Sequence, residues 1–396
     1  MVKVQHNLIA PRRIRLGMVG GGPGAFVGNI HRHAARLDDQ YELVAGALSS
    51  DADRNRAFGL SLHIDEDRLY ADYRDMAWRE AARVDGIDAV AIVVPNHLHF
   101  PVACAFLEAG IHVICDKPLT TSVADGLRLR DLAKRMGCLV LLTHNYSGYP
   151  MVRAARDLVA SGALGEIRSI QVEYAQEWLA EPIEARGNRQ AQWRTDPAQA
   201  GPAGCLADIG SHAAHLAEYV TGLSPTEVSA ELCSFVAGRR LDDHVQLRLR
   251  YPKGARGLLW ASQVAIGESN NLTLRVFGSN ASIRWEQASH HTLRYVRLGQ
   301  AAQHLSQGMP GVSAGANAAF RLPPGHPEGY IEAFAQLYRE FALALRAHRA
   351  AKTALPDHLP GIEAGIRSLC LIDAALASDC AGAEWTEVPD PLKLPV

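Results

Sequence analysis

The sequence predicts an α/β protein in which a doubly wound parallel sheet is followed by a second α/β domain with a large, open and mainly antiparallel sheet. Three observations lead to this prediction. Apolar runs of strand length alternate with helix-like stretches over the first third of the chain, as crossover connections between parallel strands require. A glycine-rich turn follows the first of these runs. After Pro150 the pattern changes to β-rich runs joined by short turns, which favours antiparallel pairing.

The composition is that of a packed globular protein. The chain has 396 residues, of which 48% are hydrophobic and 21% charged. At roughly 100–200 residues per domain, this length predicts two domains. We place them at residues 1–143 and 144–396, and the absence of a Ser/Pro-rich linker indicates that they pack directly on each other.

Charge and cysteine content argue against several classes of partner. The net charge is −2 without a basic block, which argues against nucleic acid and against an acidic membrane surface. The opening segment lacks the apolar core of a signal peptide, and no apolar run is long enough to span a bilayer. The seven cysteines form no CxxC pair, so we expect reduced thiols in a cytoplasmic protein.

Five strands and the helices between them are predicted in the first domain. The third strand is nearly all apolar, as expected for a strand buried on both faces. The predicted strands are 14–19, 41–48, 87–95, 112–115 and 138–144. The predicted helices are 51–60, 72–84, 98–109 and 122–136, the last with Ser122 as its N-cap.

The loop after the first strand has the sequence GGGPGAFVGNIH and suits a dinucleotide. Gly20 and Gly22 open the turn, whereas Gly24 and Gly28 let the backbone approach a ligand and the helix pack close to the sheet. Free amides at the helix start suit a pyrophosphate. The spacing is three residues longer than the usual fingerprint if Gly28 is its third glycine. We interpret the first domain as a Rossmann domain, with a plain glycine turn as the alternative.

The end of the second strand bears on the choice between NAD and NADP. Ser49 and Ser50 stand where a carboxylate would bind the ribose 2′-hydroxyl, and Arg54 follows one helical turn later. Hydroxyls with an arginine suit a 2′-phosphate, which slightly favours NADP. Asp51 is close enough to oppose this interpretation, although it also suits a helix N-cap.

The second domain is predicted to contain seven strands and to form a homodimer or homotetramer through an apolar sheet face. Two long helices are expected at 328–349 and 361–381, and the long connection 299–325 is typical of a lid or a disordered segment. The predicted strands are 167–174, 226–235, 243–251, 255–264, 272–277, 281–286 and 292–298.

Two short stretches carry groups suited to acid–base chemistry. HVICDKPLTTS (112–122) places Lys117 at the end of a buried strand, in a chain where only six of the 40 basic residues are lysines. CLADIGSHAAHL (205–216) places Asp208 and His212 on one side of a first helical turn, if a helix begins near residue 209. Taken alone, such a pair is more often an N-cap and a surface histidine. His215 adds a metal-site alternative, but no cysteine cluster or second carboxylate accompanies it, and we predict no metal.

Taken together, GGGPGAFVGNIH, PNHLH followed by CDKPL, and DIGSHAAHL resemble in order and spacing the Gfo/Idh/MocA family. This is the glucose–fructose oxidoreductase and inositol dehydrogenase group of sugar and polyol oxidoreductases. The resemblance covers nearly the whole chain, including WRTDP (193–197). It implies a Rossmann domain, an open antiparallel α/β domain, and a nicotinamide cofactor whose C4 atom faces the second domain.

The resemblance assigns roles to residues that match the family motifs. Lys117 matches the lysine of the E-K-P motif, and Asp208 and His212 match the D-x-x-x-H pair, which implies that the three are catalytic. Asp116, a candidate cofactor-binding residue, stands where the family usually has glutamate, and its carboxylate is one methylene shorter. The cofactor-side P-N-x-x-H motif is matched by Pro95, Asn96 and His99.

Substrate contacts are less well defined by the motifs. HNYSGYP (144–150) stands where many family members carry a basic residue, so their sugar contacts do not transfer. Asn145, Tyr146 and Tyr149 are polar candidates for substrate binding, with loop packing as the alternative. Arg194 is a candidate for contacting substrate or cofactor, with a structural salt bridge as the alternative.

These residues suggest reversible alcohol–ketone interconversion on a sugar, polyol or related cyclic substrate with NAD(P). His212, with an ordinary pKa near 6.5, suits the base that takes the hydroxyl proton. Lys117 supplies a cation that favours loss of this proton, and Asp208 orients the hydroxyl or the histidine. Two alternatives stay open, a redox NAD-dependent glycosidase of the same fold and a non-catalytic nicotinamide-sensing regulator.

Overall fold

The computed structural model describes residues 12–394 of the chain. Residues 1–11, which open the segment used to predict the absence of a signal peptide, and residues 395–396 lie outside the described part. Residues 12–394 form two sheets, one of five strands and one of nine. The α/β architecture with two different sheets confirms the predicted fold class.

The first sheet consists of β1 (Ile14–Gly20), β2 (Tyr41–Ala47), β3 (Ala89–Val93), β4 (His112–Cys115) and β5 (Val140–Leu142). Its strands are all parallel and lie in the order β2-β1-β3-β4-β5. Because β2 and β3 flank β1, the crossover direction changes there, and a crevice opens at the carboxyl ends of β1 and β3. The third and fifth strands are shorter than predicted because the chain leaves the sheet for 3₁₀ turns at Asn96–Leu98 and Asn145–Gly148.

The helices of the first sheet are α1 (Phe26–Leu37), α2 (Ala52–Ser61), α3 (Tyr73–Ala82), α4 (His99–Glu108) and α5 (Val123–Met136). Side-chain caps determine where two of them begin. Asp51 accepts a hydrogen bond from the backbone nitrogen of Arg54 at the start of α2 (2.8 Å). Ser122 accepts one from the backbone of Asp125 at the start of α5 (3.2 Å), as predicted.

The second sheet consists of β6 (Ile167–Ala175), β7 (Glu227–Cys233), β8 (His244–Arg250), β9 (Arg256–Ser262), β10 (Asn271–Gly278), β11 (Ala281–Glu286), β12 (Leu293–Arg297), β13 (Gln303–Leu305) and β14 (Thr386–Glu387). The strand order is β13-β12-β11-β10-β6-β9-β8-β7-β14, and only β6 and β9 pair in parallel among these strands. The seven predicted strands are present. The short edge strands β13 and β14 escape sequence prediction because their pairing is non-local.

The remaining helices are α6 (Pro150–Ala160), α7 (Arg189–Arg194), α8 (Pro197–Ala200), α9 (Ser211–Thr221), α10 (Ala314–Ala318), α11 (Tyr330–Ala351) and α12 (Ile362–Cys380). The two long helices lie where they are predicted. The connection 299–325 contains β13 and α10, and Arg321 within it forms an ion pair with Asp38 of the first half. Within residues 12–394, no helix is long and apolar enough to cross a membrane.

The last two long helices return from the second sheet to the first. In α11, Phe334 and Leu337 lie in the same hydrophobic core as Leu16 of β1. In α12, Ile366 joins a core of the first sheet, whereas Ile372 joins the core of the second. These two helices therefore pack against both sheets and position the two sides of the cleft between them. The division at residues 143 and 144 stays a proposal.

Candidate active site

A cavity of about 1030 Å³ lies between the two domains, at the carboxyl ends of the first sheet's strands. Both domains contribute to its wall, so neither forms it alone. Most of the predicted site residues line this cavity, and they come from both halves of the chain. They are Gly20, Gly22, Gly24, Gly28, Ser49, Ser50, Arg54, Pro95, Asn96, Asp116, Lys117, Asn145, Arg194, Asp208 and His212.

The loop at one end of the cavity leaves no room for a side chain at Gly20, Gly22 or Gly28. A Cβ atom at Gly20 would lie 2.2 Å from a carbonyl oxygen of β3, and one at Gly22 would lie 2.4 Å from the carbonyl oxygen of Leu48. At Gly28 it would lie 2.3 Å from the backbone of the loop itself. Gly20 and Gly24 also have positive φ angles of 80° and 82°. This tight turn before α1 fits the cradle that a dinucleotide pyrophosphate requires.

The end of β2 borders the same cavity. Ser49, Ser50 and Arg54 line it, whereas Asp51 is engaged as the N-cap of α2. Asp51 therefore acts as a helix N-cap, which is the alternative to a role in binding the ribose. Two hydroxyls and a guanidinium face the place where the adenosine ribose of a dinucleotide lies in this fold.

Lys117 and Asp208 meet across the cavity. The Nζ atom of Lys117 donates to Oδ1 of Asp208 at 2.7 Å and also donates to the Asp208 backbone carbonyl. Both side chains are largely buried, with 13% and 19% of their surface exposed. Asp116 accepts hydrogen bonds from the Lys117 backbone nitrogen (3.0 Å) and from the Thr143 hydroxyl (2.9 Å). The Asp116 carboxylate thus holds the backbone at Lys117 and links it to Thr143.

Asp208 lies on a π-helical turn rather than at the start of an α-helix near residue 209 as expected. The turn, Leu206–Gly210, continues directly into α9. Asp242 holds its beginning by accepting hydrogen bonds from the backbone nitrogens of Gly204 (2.6 Å) and Leu206 (2.8 Å). Such turns often occur at functional sites, because the wider helix redirects a side chain.

The Asp208 carboxylate is held ionised by its neighbours. Gln263 donates to Oδ2 at 2.8 Å, and Nε of Arg194 lies 3.3 Å from the same oxygen. Burial alone would raise the pKa of Asp208, but the charges of Lys117 and Arg194 and the lysine hydrogen bond lower it well below its ordinary value. Both oxygens of Asp208 are therefore engaged, and Oδ1 holds the Lys117 ammonium group in place.

His212 lines the cavity and, like His144, has a buried ring nitrogen without a hydrogen-bond partner among the described residues. Its ring packs edge-on against Tyr146 (5.2 Å between centroids) and His144 (5.7 Å), and its buried Nδ1 makes no hydrogen bond to the described residues. Burial, assisted by the nearby charge of Lys117, lowers the pKa of His212 well below 6.5. The imidazole is therefore neutral near pH 7.

Three predicted binding residues do not reach the cavity. The buried His99 ring hydrogen-bonds to the backbone carbonyls of Pro118 and Val94, so it braces two loops and does not line the cavity. Tyr146 and Tyr149 are both buried in the core of the second sheet. Their rings face inward because the turn after β5 packs against that core, which is the loop-packing alternative considered for them.

Arg194 and Asn96 line the cavity with their polar groups partly engaged. The Arg194 guanidinium lies over the Trp193 ring at 4.1 Å and forms a salt bridge with Asp208, while the residue also lines the cavity. Asn96 donates to the carbonyl oxygen of Ala200 at 2.9 Å, which links the two sides of the cleft.

Sequence reasoning missed Gln263, Asp242 and Tyr330. Gln263 and Asp242 hold the Asp208 turn, and Tyr330 lines the cavity from the start of α11. Gln263 and Asp242 lie 55 and 36 residues from their partners Asp208 and Leu206, and none of the three belongs to a recognisable motif. Among residues 12–394, no group of three or more potential ligands is arranged to hold a metal ion.

Both halves of the chain match models of one protein family. Residues 14–144 match the oxidoreductase family with NAD-binding Rossmann fold of the Gfo/Idh/MocA type. Residues 152–284 match the GFO/IDH/MocA C-terminal domain.

Similar proteins extend over the whole length of the chain. An uncharacterized oxidoreductase of Bacillus subtilis, YfiI, is 35% identical, with 96% of this chain and 98% of the relative covered. Levoglucosan dehydrogenase of Pseudarthrobacter phenanthrenivorans is 27% identical, with 96% and 99% covered. An inositol dehydrogenase homologue from Azotobacter vinelandii in complex with NAD+ is 37% identical, with a TM-score of 0.91 and 95% and 97% covered. Its complex with NADH and myo-inositol gives a TM-score of 0.89 at 36% identity, with 95% and 98% covered.

Proposed function

This chain belongs to the Gfo/Idh/MocA family of oxidoreductases, and from that premise we propose that it interconverts a secondary alcohol and a ketone on a sugar, polyol or related cyclic substrate. The observation that carries the proposal is the Lys117–Asp208 pair beside a neutral His212 in one cavity with the glycine loop. The relatives named for levoglucosan and bound to myo-inositol support a cyclic polyhydroxylated substrate.

The residues that line the cavity fit a nicotinamide dinucleotide. The tight glycine loop would hold the pyrophosphate, and the groups after β2 would hold the adenosine ribose. When bound, the dinucleotide supplies the acceptor for the hydride. The side chains of the protein then have to remove the hydroxyl proton.

His212 and Lys117 divide that task. The neutral imidazole takes the hydroxyl proton, and the ammonium group of Lys117 stabilises the negative charge that develops on the oxygen. Asp208 keeps the ammonium group in place through its direct hydrogen bond. This assignment differs from the role expected for Asp208 from sequence, which was to orient the hydroxyl or the histidine.

We propose NADP as the preferred cofactor. Arg54 and the hydroxyls of Ser49 and Ser50 line the cavity, and Asp51, the nearest carboxylate in the sequence, is engaged as a helix cap. A 2′-phosphate would gain charge-assisted hydrogen bonds there, whereas a ribose hydroxyl would lack its usual carboxylate partner.

A substrate panel tests the proposed activity. Purified protein is incubated with NAD+ or NADP+ and with inositols, pyranoses and anhydrosugars at alkaline pH, and the absorbance of the reduced cofactor is followed. Net reduced cofactor from a free polyol or sugar supports the dehydrogenase. Release of an aglycone from a glycoside without net reduction would indicate the redox glycosidase, and binding of cofactor without turnover on any of these compounds would indicate a regulator.

Assembly and location are part of the proposal. The outer face of the second sheet exposes Leu258 (53%) of β9 and Phe277 (38%) of β10, and the partly exposed Trp260 follows Leu258 on the same strand. Covering this face with a second copy would give a homodimer or homotetramer, which light scattering after gel filtration tests.

All seven cysteines are free thiols, which favours a reducing, cytoplasmic compartment.

A further inference from the structure

Asn145 carries two buried polar atoms that lack partners. The residue follows β5 and lines the cavity, and its side chain is fully buried. Among the described residues, neither Nδ2 nor Oδ1 finds a hydrogen-bond partner. A buried amide left in this state is destabilising unless a ligand or solvent completes its hydrogen bonds. A ligand that presents one hydrogen-bond acceptor and one hydrogen-bond donor side by side would therefore satisfy both polar atoms of Asn145.

The strand order locates Asn145 along a bound dinucleotide. In the order β2-β1-β3-β4-β5, cavity-lining groups follow each strand, namely Ser49, the glycine loop, Pro95, Lys117 and Asn145. A dinucleotide whose pyrophosphate lies after β1 and whose adenosine lies after β2 extends its other half over β3, β4 and β5. Asn145 thus stands at the nicotinamide end, one strand beyond the lysine.

The turn that carries Asn145 is held rigidly by other groups. A Cβ atom at Gly148 would lie 2.0 Å from a backbone oxygen of α11, so the turn packs tightly on that helix. The Ser147 hydroxyl donates to the His144 carbonyl at 2.8 Å, and the Asn145 backbone nitrogen donates to the Thr143 carbonyl at 2.9 Å. The amide is therefore positioned without using its own polar atoms, as a preorganised binding group is.

We propose that Asn145 binds the carboxamide of the nicotinamide ring, with Nδ2 donating to the carboxamide oxygen and Oδ1 accepting from its nitrogen. This inference rests on the proposed function, since it requires a nicotinamide cofactor. A primary amide presents one acceptor and one donor in a plane, which matches the two unpartnered atoms of Asn145. The groups assigned to the reacting hydroxyl, Lys117 and His212, lie on other elements and leave the amide free for this task.

Calorimetry with truncated cofactors tests the inference without a substrate. NADH or NADPH, whichever binds more tightly, is compared with the matching ADP-ribose or 2′-phospho-ADP-ribose, which lacks the nicotinamide ring. Asn145→Leu keeps the size of the side chain and removes both polar atoms. We expect its affinity for the reduced cofactor to fall about tenfold or more, as loss of two hydrogen bonds predicts, while the affinity for the truncated ligand stays unchanged.

Two controls accompany the comparison. Gln300→Leu makes the same change from amide to aliphatic side chain at an exposed position outside the cavity, and it should leave both affinities unchanged. The 3-acetylpyridine analogue keeps the carbonyl acceptor but lacks the amide donor. The unmodified protein should bind it less tightly than the parent cofactor, and Asn145→Leu should not distinguish the two.

The outcomes separate this inference from the proposed function. If Asn145→Leu binds the reduced cofactor within about twofold of the unmodified protein, less than even one lost hydrogen bond predicts, the carboxamide contact is wrong. If it weakens both ligands equally, Asn145 is structural and the inference is equally overturned. If the unmodified protein binds neither cofactor nor either truncated ligand, the proposed function fails first and the inference falls with it.

Discussion

The Nζ atom of Lys117 lies 2.7 Å from Oδ1 of Asp208, although 91 positions separate the two residues in the chain. The lysine follows β4 of the first sheet, and the aspartate lies on the π-helical turn before α9. The pair therefore joins the two walls of the cavity and holds a cation where its charge acts on His212.

Replacement of Lys117 by Met keeps an unbranched side chain but removes the charge. We expect turnover to fall roughly 10²–10⁴-fold, the contribution of positioned acid–base and electrostatic groups. Cofactor affinity should change little, because the glycine loop and Arg54 lie elsewhere in the cavity. Steady-state kinetics and calorimetry measure the two effects. Lys134→Met, an exposed charge removal on α5, is the control, and activity within about threefold of the parent would show that Lys117 is structural.

Gln263→Leu removes the donor to Oδ2 of Asp208. We expect turnover to fall about tenfold, because Asp208 loses one of the hydrogen bonds that position its carboxylate against Lys117. Steady-state kinetics measure the loss, and turnover within about twofold of the parent would show that the Gln263 amide does not position Asp208.

The buried histidines predict how stability depends on pH. The rings of His144 and His215 stack at 4.0 Å, and burial lowers the pKa of both, that of His215 to about 3. The folded protein keeps these rings neutral, whereas the unfolded chain takes up protons below about pH 6.5. The unfolded state then binds more protons, so the free energy of unfolding falls as pH decreases below 6.5, by up to about 1.4 kcal/mol per pH unit for each histidine.

Urea denaturation between pH 7.5 and 4.5 measures this dependence. His215→Phe keeps an aromatic ring in the stack and removes one titrating group, so its stability should depend less steeply on pH. An identical pH dependence in the variant would contradict the assignment of a neutral buried His215.

Gly22→Val should weaken cofactor binding by about tenfold or more. A Cβ atom at Gly22 would lie 2.4 Å from the Leu48 carbonyl oxygen, so the loop has to move away from the place where the pyrophosphate binds. Calorimetry with NAD(P)H measures the loss. Gly315→Val, in open space on α10, is the matched control, and an unchanged affinity for Gly22→Val would remove the glycine loop from the cofactor site.

Arg54→Ala tests the cofactor preference. We expect kcat/KM with NADP to fall about tenfold or more, as loss of a charge-assisted hydrogen bond predicts, while the value with NAD stays constant. Arg56→Ala removes an exposed arginine from the same helix, where it pairs with Glu66 outside the cavity, and serves as control. The phosphate-site hypothesis is wrong if NAD is the better cofactor and Arg54→Ala affects neither value.

Local patterns in the sequence were sufficient for much of the fold and part of the site. Buried apolar runs, glycine spacing and the Ser122 cap are properties of neighbouring residues, so they predict the five parallel strands and the turn before α1. Because parallel strands end at one edge of a sheet, they also predict that the glycine loop and Lys117 share a cavity.

The sequence by itself determined which elements form and which groups stand at their ends, because periodicity and capping act over a few residues. Only the tertiary structure decided which side chains face the cavity. Tyr146 and Asn145 are neighbours in one turn, yet the first faces the core and the second faces the cleft. Likewise, Gln263 meets Asp208 only because β9 ends beside the π-helical turn. The direction of a loop side chain depends on the packing of distant elements, which no local pattern encodes.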